Sequence, residues 1–290
     1  MHIFKESQLI INPDGSIYHL KLHPENIADD IILVGDPGRV DTISSYFDNI
    51  IFQDNNREFF TATGMLKGKK ITVISTGIGP DNIDIVLNEL DALVNINFDT
   101  RTIKNNLRKL NIYRLGTSGA IQADIEIDTF AIAEFGLGID GLANFYDVSE
   151  DLYVSSIENA FIKHTNWPEK LSSPYIIKCS ENLSSKFGND FIKGITLTAP
   201  GFYAPQGREL RIDLKYPQLP ELIRSFSYGK DRIINYEMET SALYALGRSL
   251  GHNVITICAV LANRYKEKYS NNPLQTIDAL INNVLGIIVN

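Results

Sequence analysis

Short aliphatic and β-branched runs alternate along the chain with stretches in which apolar residues return every three or four positions, the pattern of an α/β protein. Runs that read as strands lie at 31–35, 50–53, 58–65, 70–76, 111–115, 129–133, 174–177, 193–199, 232–235 and 254–261. The segment EFFTATGMLKGKKITVIST predicts a hairpin that turns at Lys67-Gly68-Lys69. Three helices are marked by their period. Residues 80–96 place Ile83, Val86, Leu87, Leu90 and Leu93 on one face, and 238–250 do the same with Ala242, Leu243, Leu246 and Leu250. The C-terminal stretch repeats the pattern through Ile277, Leu280, Ile281, Val284, Leu285 and Ile288. The polar patch 97–109, NFDTRTIKNNLRK, reads as a surface loop or a lengthened helix end. There is no internal repeat, low-complexity tract or Pro/Gly-rich linker, so residues 1–290 are expected to form a single α/β domain.

Composition narrows the classes. With 44% hydrophobic and 21% charged residues the chain is ordinary for a soluble globular protein. A net charge of −8 argues against general binding to nucleic acid or to an anionic membrane, but leaves room for a local basic pocket. The N-terminal MHIFKESQLIINPDG lacks the apolar core of a signal peptide, and the longest apolar run, VITICAVLA, is too short to span a bilayer; the expected location is the cytoplasm. Cys179 and Cys258 have no metal-ligand spacing and read as buried, reduced thiols. His19 and His23 are four apart, yet no third ligand is evident, so no metal is expected.

The candidate chemistry lies where strands run out. IILVGDPGRV ends an aliphatic run in Gly35, Asp36, Pro37, Gly38 and Arg39. A strand-to-helix turn alone explains the glycines and the proline; an anion pocket of backbone N–H groups and a guanidinium explains them equally. Strand 70–76 ends in STGIGPDN, with Gly77 and Gly79, and strand 111–115 ends in YRLGTSGA, with Arg114, Gly116, Thr117, Ser118 and Gly119. Three successive strands ending in glycine turns, two with arginines, point to a bound oxyanion at the carboxyl edge of a sheet. In GFYAPQGREL, Phe202 and Tyr203 sit near Gln206 and Arg208, a set that can stack on a flat heterocycle and read its edge, or make an unremarkable surface turn. NYEMETSALYAL opens a helix with two carboxylates around Met238, which suits the helix dipole or grips a vicinal diol.

Anion, flat base and diol together describe a nucleoside and phosphate. VGDPGR, STGIG, RLGTSGAIQ, FYAPQGREL, YEMETSALY and CAVLANR, in this order from about residue 19 to 264, resemble the motifs of the uridine phosphorylase branch of the nucleoside phosphorylase family. The resemblance implies a three-layer sandwich with a mixed, partly barrel-like central sheet flanked by helices. It also implies roles. Gly35, Arg39, Arg114 and Thr117 match phosphate-binding positions, and Arg57 matches an arginine that reaches a neighbouring subunit's phosphate. His19 matches a histidine that crosses the same interface to the ribose; Met238 and Glu239 match ribose contacts, with Glu239 on the 2′ and 3′ hydroxyls. Ser118, Gly119, Phe202, Gln206 and Arg208 match the base pocket, and Arg264 a more remote arginine near the pyrimidine O4. Arg114, Gln206, Arg208 and Glu239 would carry the reaction. The implied partners are a small nucleoside and inorganic phosphate, with no organic cofactor, in a homodimer or a trimer of dimers with shared active sites.

The sequence also departs from the family. GIGPDN stands where a double glycine is usual, bringing Pro80 and Asp81 near the pocket; NFDTRTIKNN is absent from the shortest members; Leu261 and Ala262 replace other aliphatics beside the base. The implied reaction is phosphorolysis of an N-glycosidic bond to free base and ribose 1-phosphate, through a transition state with oxocarbenium character. A purine nucleoside phosphorylase, a nucleosidase or a non-catalytic nucleoside-binding protein on the same fold are the alternatives. ANRYKEK, with Asn263 and Arg264 and no acid before Glu267, favours a pyrimidine, because purine departure needs a proton donor there.

Overall fold

The computed structural model describes residues 2–290. Its strands are β1 (Asp30–Val34), β2 (Asn49–Asn56), β3 (Phe59–Leu66), β4 (Lys69–Ser75), β5 (Ile96–Asn97), β6 (Thr102–Ile103) and β7 (Asn111–Ala120). There follow β8 (Phe130–Gly138), β9 (Tyr175–Lys178), β10 (Ile192–Thr198), β11 (Ser227–Tyr228), β12 (Asp231–Glu237), β13 (Asn253–Asn263) and β14 (Lys268–Tyr269). The helices are α1 (Gly38–Ser44), α2 (Pro80–Asn95), α3 (Ser155–Thr165), α4 (Glu181–Ser184), α5 (Leu219–Ser225), α6 (Thr240–Ser249) and α7 (Pro273–Val289).

Twelve strands make one mixed sheet along the path β11-β12-β10-β8-β13-β7-β1-β4-β3-β2, with β9 on β8 and β14 on β13. A further antiparallel pairing, Asn235 with Ala120 and Tyr236 with Gly119, joins β12 back to β7. It closes β7, β13, β8, β10 and β12 into a ring. Ala120, Ala131, Ile234 and Val260 from four of those strands pack together with Ile125, and Ile192 of the fifth joins them. The expected partly barrel-like sheet flanked by helices is therefore present, and the closure is what carries the β12–α6 corner to the end of β7.

The aliphatic runs become strands because their residues are covered on both faces: all five residues of β1 are buried. Parallel pairing of β1 with β4 and β7 puts Val34 opposite both Ser75 and Leu115. Their carboxyl ends thus finish side by side. The β3–β4 hairpin turns where expected, with Lys67 and Gly68 both at positive φ (49° and 79°). Helix α2 begins at Pro80 after Gly79 at φ 108° and buries its predicted face. Helix α6 starts at Thr240 rather than 238 and is buried all round through Gly247, so its apolar stripe understates its burial.

Three expectations need correction. The run 111–115 does not end in a glycine turn: β7 continues to Ala120, paired with β13 as far as Asn263. Gly116 lies inside the strand, where a Cβ would collide with the Arg114 guanidinium and press on Cys258 Sγ at 3.0 Å. Its role is room for that guanidinium rather than a turn. The patch 97–109 is neither plain loop nor helix extension but carries the small β5–β6 hairpin. Arg101 at its tip, at φ 53°, ties it to the N-terminal segment through Nε to the Phe4 carbonyl at 2.9 Å. Helix α3, which the apolar period did not mark out, buries Ile157 and Phe161 against a second core beneath β8 and β10.

Candidate active site

The carboxyl ends of β1 and β4, the far half of β7, and the β12–α6 corner enclose a cleft of about 810 Å³. Gly35, Arg39, Arg114, Thr117, Ser118, Gly119, Phe202, Gln206, Arg208, Met238 and Glu239 all line it. At the sheet edge, Asp36 Oδ1 accepts from Gly38 N at 2.9 Å and begins α1, which sets Arg39 over the end of β7. Arg39 Nη1 donates to the Leu115 carbonyl at 3.2 Å. Burial, and then the nearby Arg114 charge, pull the Arg39 pKa down. Two cations held this close favour an anion between them.

Arg114 is buried and lies against two carboxylates. Its Nη2 donates to Glu239 Oε2, and its Nη1 is 3.5 Å from Glu237 Oε2. Its Nε and Nη1 have no hydrogen-bond partner among the described residues. Buried donors of this kind call for an acceptor. Glu239 is fixed by Arg114 and by backbone donors, Gly79 N at 2.9 Å on Oε1 and Met238 N at 3.2 Å on Oε2. A carboxylate so oriented can accept from two adjacent hydroxyls.

Gln206 ends a single 3₁₀ turn, Ala204–Gln206, and Gly207 follows at φ 71°, a left-handed residue whose added Cβ would strike Pro220. Gln206 is buried, and its Oε1 accepts from Arg208 Nη1 at 2.6 Å. The same Nη1 reaches the Phe202 carbonyl at 2.6 Å, and the guanidinium lies 3.8 Å from the Phe202 ring centroid. Burial and then Arg264 lower the Arg208 pKa. Arg264 does not itself line the cleft: its guanidinium sits 5.2 Å from the Tyr236 ring, and its stem runs beside Gly119. Leu261 and Ala262 do line it, whereas Pro80 and Asp81 do not.

His19 and Arg57 stand apart from the cleft. They are close to one another: Arg57, at φ 58° in the β2–β3 turn, faces the Tyr18 ring at 5.9 Å, and Tyr18 meets the His19 ring edge-on at 4.5 Å. His19 Nδ1 is 2.7 Å from Glu89 Oε1, and Asn56 Nδ2 donates to the His19 carbonyl at 2.7 Å. Cys179 and Cys258 are both buried and free. Among the described residues, no group of three His, Cys, Asp or Glu is placed to hold a metal, and no helix is long and apolar enough to cross a membrane.

Sequence reasoning missed Glu58, Asn82, Tyr236 and Tyr269, which also line the cleft, and read Glu237, which lines it too, only as one of two carboxylates around Met238. Tyr236 and Glu237 stand directly before Met238 in the quoted motif; adjacency was the available signal. Glu58 and Tyr269 reach the cleft only through the sheet's long-range order.

Residues 29–289 match the family model of the phosphorylase superfamily. A uridine phosphorylase of Thermococcus kodakarensis is 31% identical over 88% of this chain and 80% of its own length. A uridine phosphorylase of Haemophilus influenzae is 27% identical over 89% and 90%. Among solved structures, a Trypanosoma brucei nucleoside phosphorylase described as showing uridine phosphorylase activity superposes with a TM-score of 0.81 at 30% identity, over 97% of this chain and 98% of that one. The chain belongs to the phosphorylase superfamily.

Proposed function

We propose that this protein is a uridine phosphorylase: it cleaves a pyrimidine nucleoside with inorganic phosphate to give free base and ribose 1-phosphate. The observation that carries the reading is one cleft lined by the Arg39–Arg114 cation pair, by Glu239, and by the buried Gln206 with its hydrogen-bonded, half-buried Arg208. Phosphate is held by Arg39, Arg114, Thr117 and the backbone at Gly35, below the position of C1′. Glu239, oriented by Gly79 N–H and Arg114, accepts from the 2′ and 3′ hydroxyls, and Met238 packs on the ribose. Phe202 supports the base.

The Gln206 carbonyl has a second lone pair for the pyrimidine N3–H, while its amide and the Arg208 guanidinium donate to the ring carbonyls. Those carbonyls gain charge as the glycosidic bond breaks, so the donors bind the departing anion more strongly than the nucleoside. Within one subunit the chemistry is carried by these side chains and the phosphate that attacks C1′.

The purine alternative loses support at Asn263. That side chain is buried, donates to the carbonyls of Gln122 and Ile125 at 2.8 and 2.7 Å, and accepts from Lys266 N at 2.9 Å. It is committed to the backbone and cannot deliver a proton to a purine N7. The cluster of exposed Arg57 and Tyr18 with half-buried His19 supports a site shared between subunits, in which a neighbour supplies Arg57 to the phosphate and His19 to the ribose.

The test is base release from uridine, thymidine, inosine and adenosine, with and without phosphate. Uridine is expected to react fastest, only with phosphate, and to yield ribose 1-phosphate. Phosphate-independent hydrolysis would replace this reading with a nucleosidase, faster inosine cleavage with a purine phosphorylase, and binding without turnover with a non-catalytic protein.

A further inference from the structure

Among the described residues, Glu237 is the one buried charged group lining the cleft that the proposed reaction does not use. It is almost fully buried at the β12–α6 corner. Its Oε2 accepts from Glu239 N and Thr240 N, both at 2.9 Å, and its Oε1 accepts from Thr198 Oγ at 2.6 Å. These bonds cap the start of α6, and capping alone would explain an uncharged acceptor there. A carboxylate is a costlier choice, because it adds a second buried negative charge beside Glu239.

The charges close to the anion site decide what that second carboxylate does. Arg39 and Arg114 bring two positive charges; Glu237 and Glu239, both ionised, bring two negative ones. Within one subunit these four sum to zero, and the exposed Asp36 beside Arg39 adds no positive charge, so only an Arg57 supplied by a neighbour would offset a dianion. With a proton on Glu237 the site is a net cation. The Arg114 Nη1 beside Glu237, which has no hydrogen-bond partner of its own, can then turn to the anion. The contact to Thr198 allows the change, because a hydroxyl can donate or accept across the same distance. Thr198 Oγ already accepts from Ser241 N at 2.9 Å and keeps a lone pair for a carboxylic acid.

We propose that Glu237 is a positioning residue for phosphate: it takes a proton from solvent as a dianion binds beside Arg114, and so releases that guanidinium to the anion. This rests on the reading of the cleft as a phosphate site. The titratable and charged groups facing Glu237 are Arg114 from β7, Glu239 at the head of α6, Tyr244 within α6 and Cys258 from β13. Burial pushes the Glu237 carboxyl up to about 7, with Arg114 pulling it down and Glu239 adding to the rise. Burial pushes Cys258 up to about 12 and holds Tyr244 well above the usual phenol range, so neither can supply or compete for the proton near neutrality. A second anion sharing Arg114 raises the proton affinity of Glu237 again.

The test uses sulfate, which stays a dianion at every working pH, titrated calorimetrically at about pH 8 in two buffers of different ionisation enthalpy. The wild type is expected to take up close to one proton per sulfate bound, and its apparent affinity to fall about tenfold per pH unit above neutrality. Glu237→Gln, which keeps an acceptor for Thr198, is expected to bind sulfate with no proton uptake and a flat pH profile. Should that variant fail to fold, infrared difference spectra of the wild type carry the test: sulfate at the same pH should raise the carbonyl band of a buried carboxylic acid. Sulfate bound without proton uptake or that band, or uptake undiminished in Glu237→Gln, overturns the role of Glu237 and leaves the anion site standing. A wild type that binds neither sulfate nor phosphate overturns the anion site, and this inference with it.

Discussion

The two ends of the cleft are built differently. The anion end stands on β1, β4 and β7, parallel strands locked in register and buried on both faces, and its central guanidinium is itself buried. The base end hangs on a segment between β10 and α5 in which Phe202 and Tyr203 are 51% and 55% exposed and one 3₁₀ turn sets Gln206. On the proposed function, a scaffold of this kind fixes the reagent common to every turnover and leaves base choice to a loop that tolerates change. The difference predicts that substitutions at the anion end damage fold and function together, whereas those at the base end alter selectivity first.

The largest effect is expected at Arg114. Arg114→Ala removes a proposed phosphate donor and strands two buried carboxylates, so phosphorolysis should fall by about three orders of magnitude or more. Stability should drop by about 3–5 kcal/mol, because breaking a buried ion pair leaves uncompensated charge. Phosphate kinetics and urea melts read the two losses; a variant as stable as the wild type would show that the Arg114 cluster is not the buttress described.

Arg208→Ala should slow uridine cleavage by about 10²–10³-fold through the lost donor to the departing base, with the urea midpoint little changed because Arg208 is half-buried on the loop. Phe202→Ala should do less. Losing one stacking face is worth about 1 kcal/mol, read as a several-fold rise in the uridine KM with kcat nearly kept.

The smallest effect is one of pH. The Glu237 carboxyl lies at about 7 in the folded chain, above the usual range for an unfolded glutamate. The folded state therefore holds a proton that the unfolded state has released. The stability this gives is complete below the unfolded pKa and is lost as pH rises through neutrality. Urea midpoints should fall between about pH 5 and pH 8, and Glu237→Gln should remove much of that slope. An unchanged slope in the variant would assign it to another acid, with the half-buried Glu158 the next candidate because partial burial raises its pKa as well.

Much of this was legible in the chain, and what was not has a physical cause. β1, β4 and α2 follow from local signals: an aliphatic run, a glycine, a proline at the first helical turn. The residues at both ends of the cleft were found because their motifs are short and contiguous. Gly116 read as part of a turn because sequence does not reveal that the space of its missing Cβ belongs to the Arg114 guanidinium. The β12–β7 pairing joins residues far apart in the chain and leaves no local trace. Glu237 looked like one of two interchangeable first-turn acids. Its burial is set by Thr198 and Arg114, which arrive from distant strands.

The most direct test of this division of labour sets Arg39→Ala beside Arg208→Ala and measures, for each, the phosphate KM and the ratio of uridine to inosine turnover. Arg39 touches only the anion end, through the Leu115 carbonyl, and Arg208 only the base end, through Gln206 and Phe202. Arg39→Ala should raise the phosphate KM and leave the base ratio where it was; Arg208→Ala should collapse the ratio and leave the phosphate KM where it was. Variants that each moved both quantities together would contradict a cleft with one end for phosphate and the other for the pyrimidine.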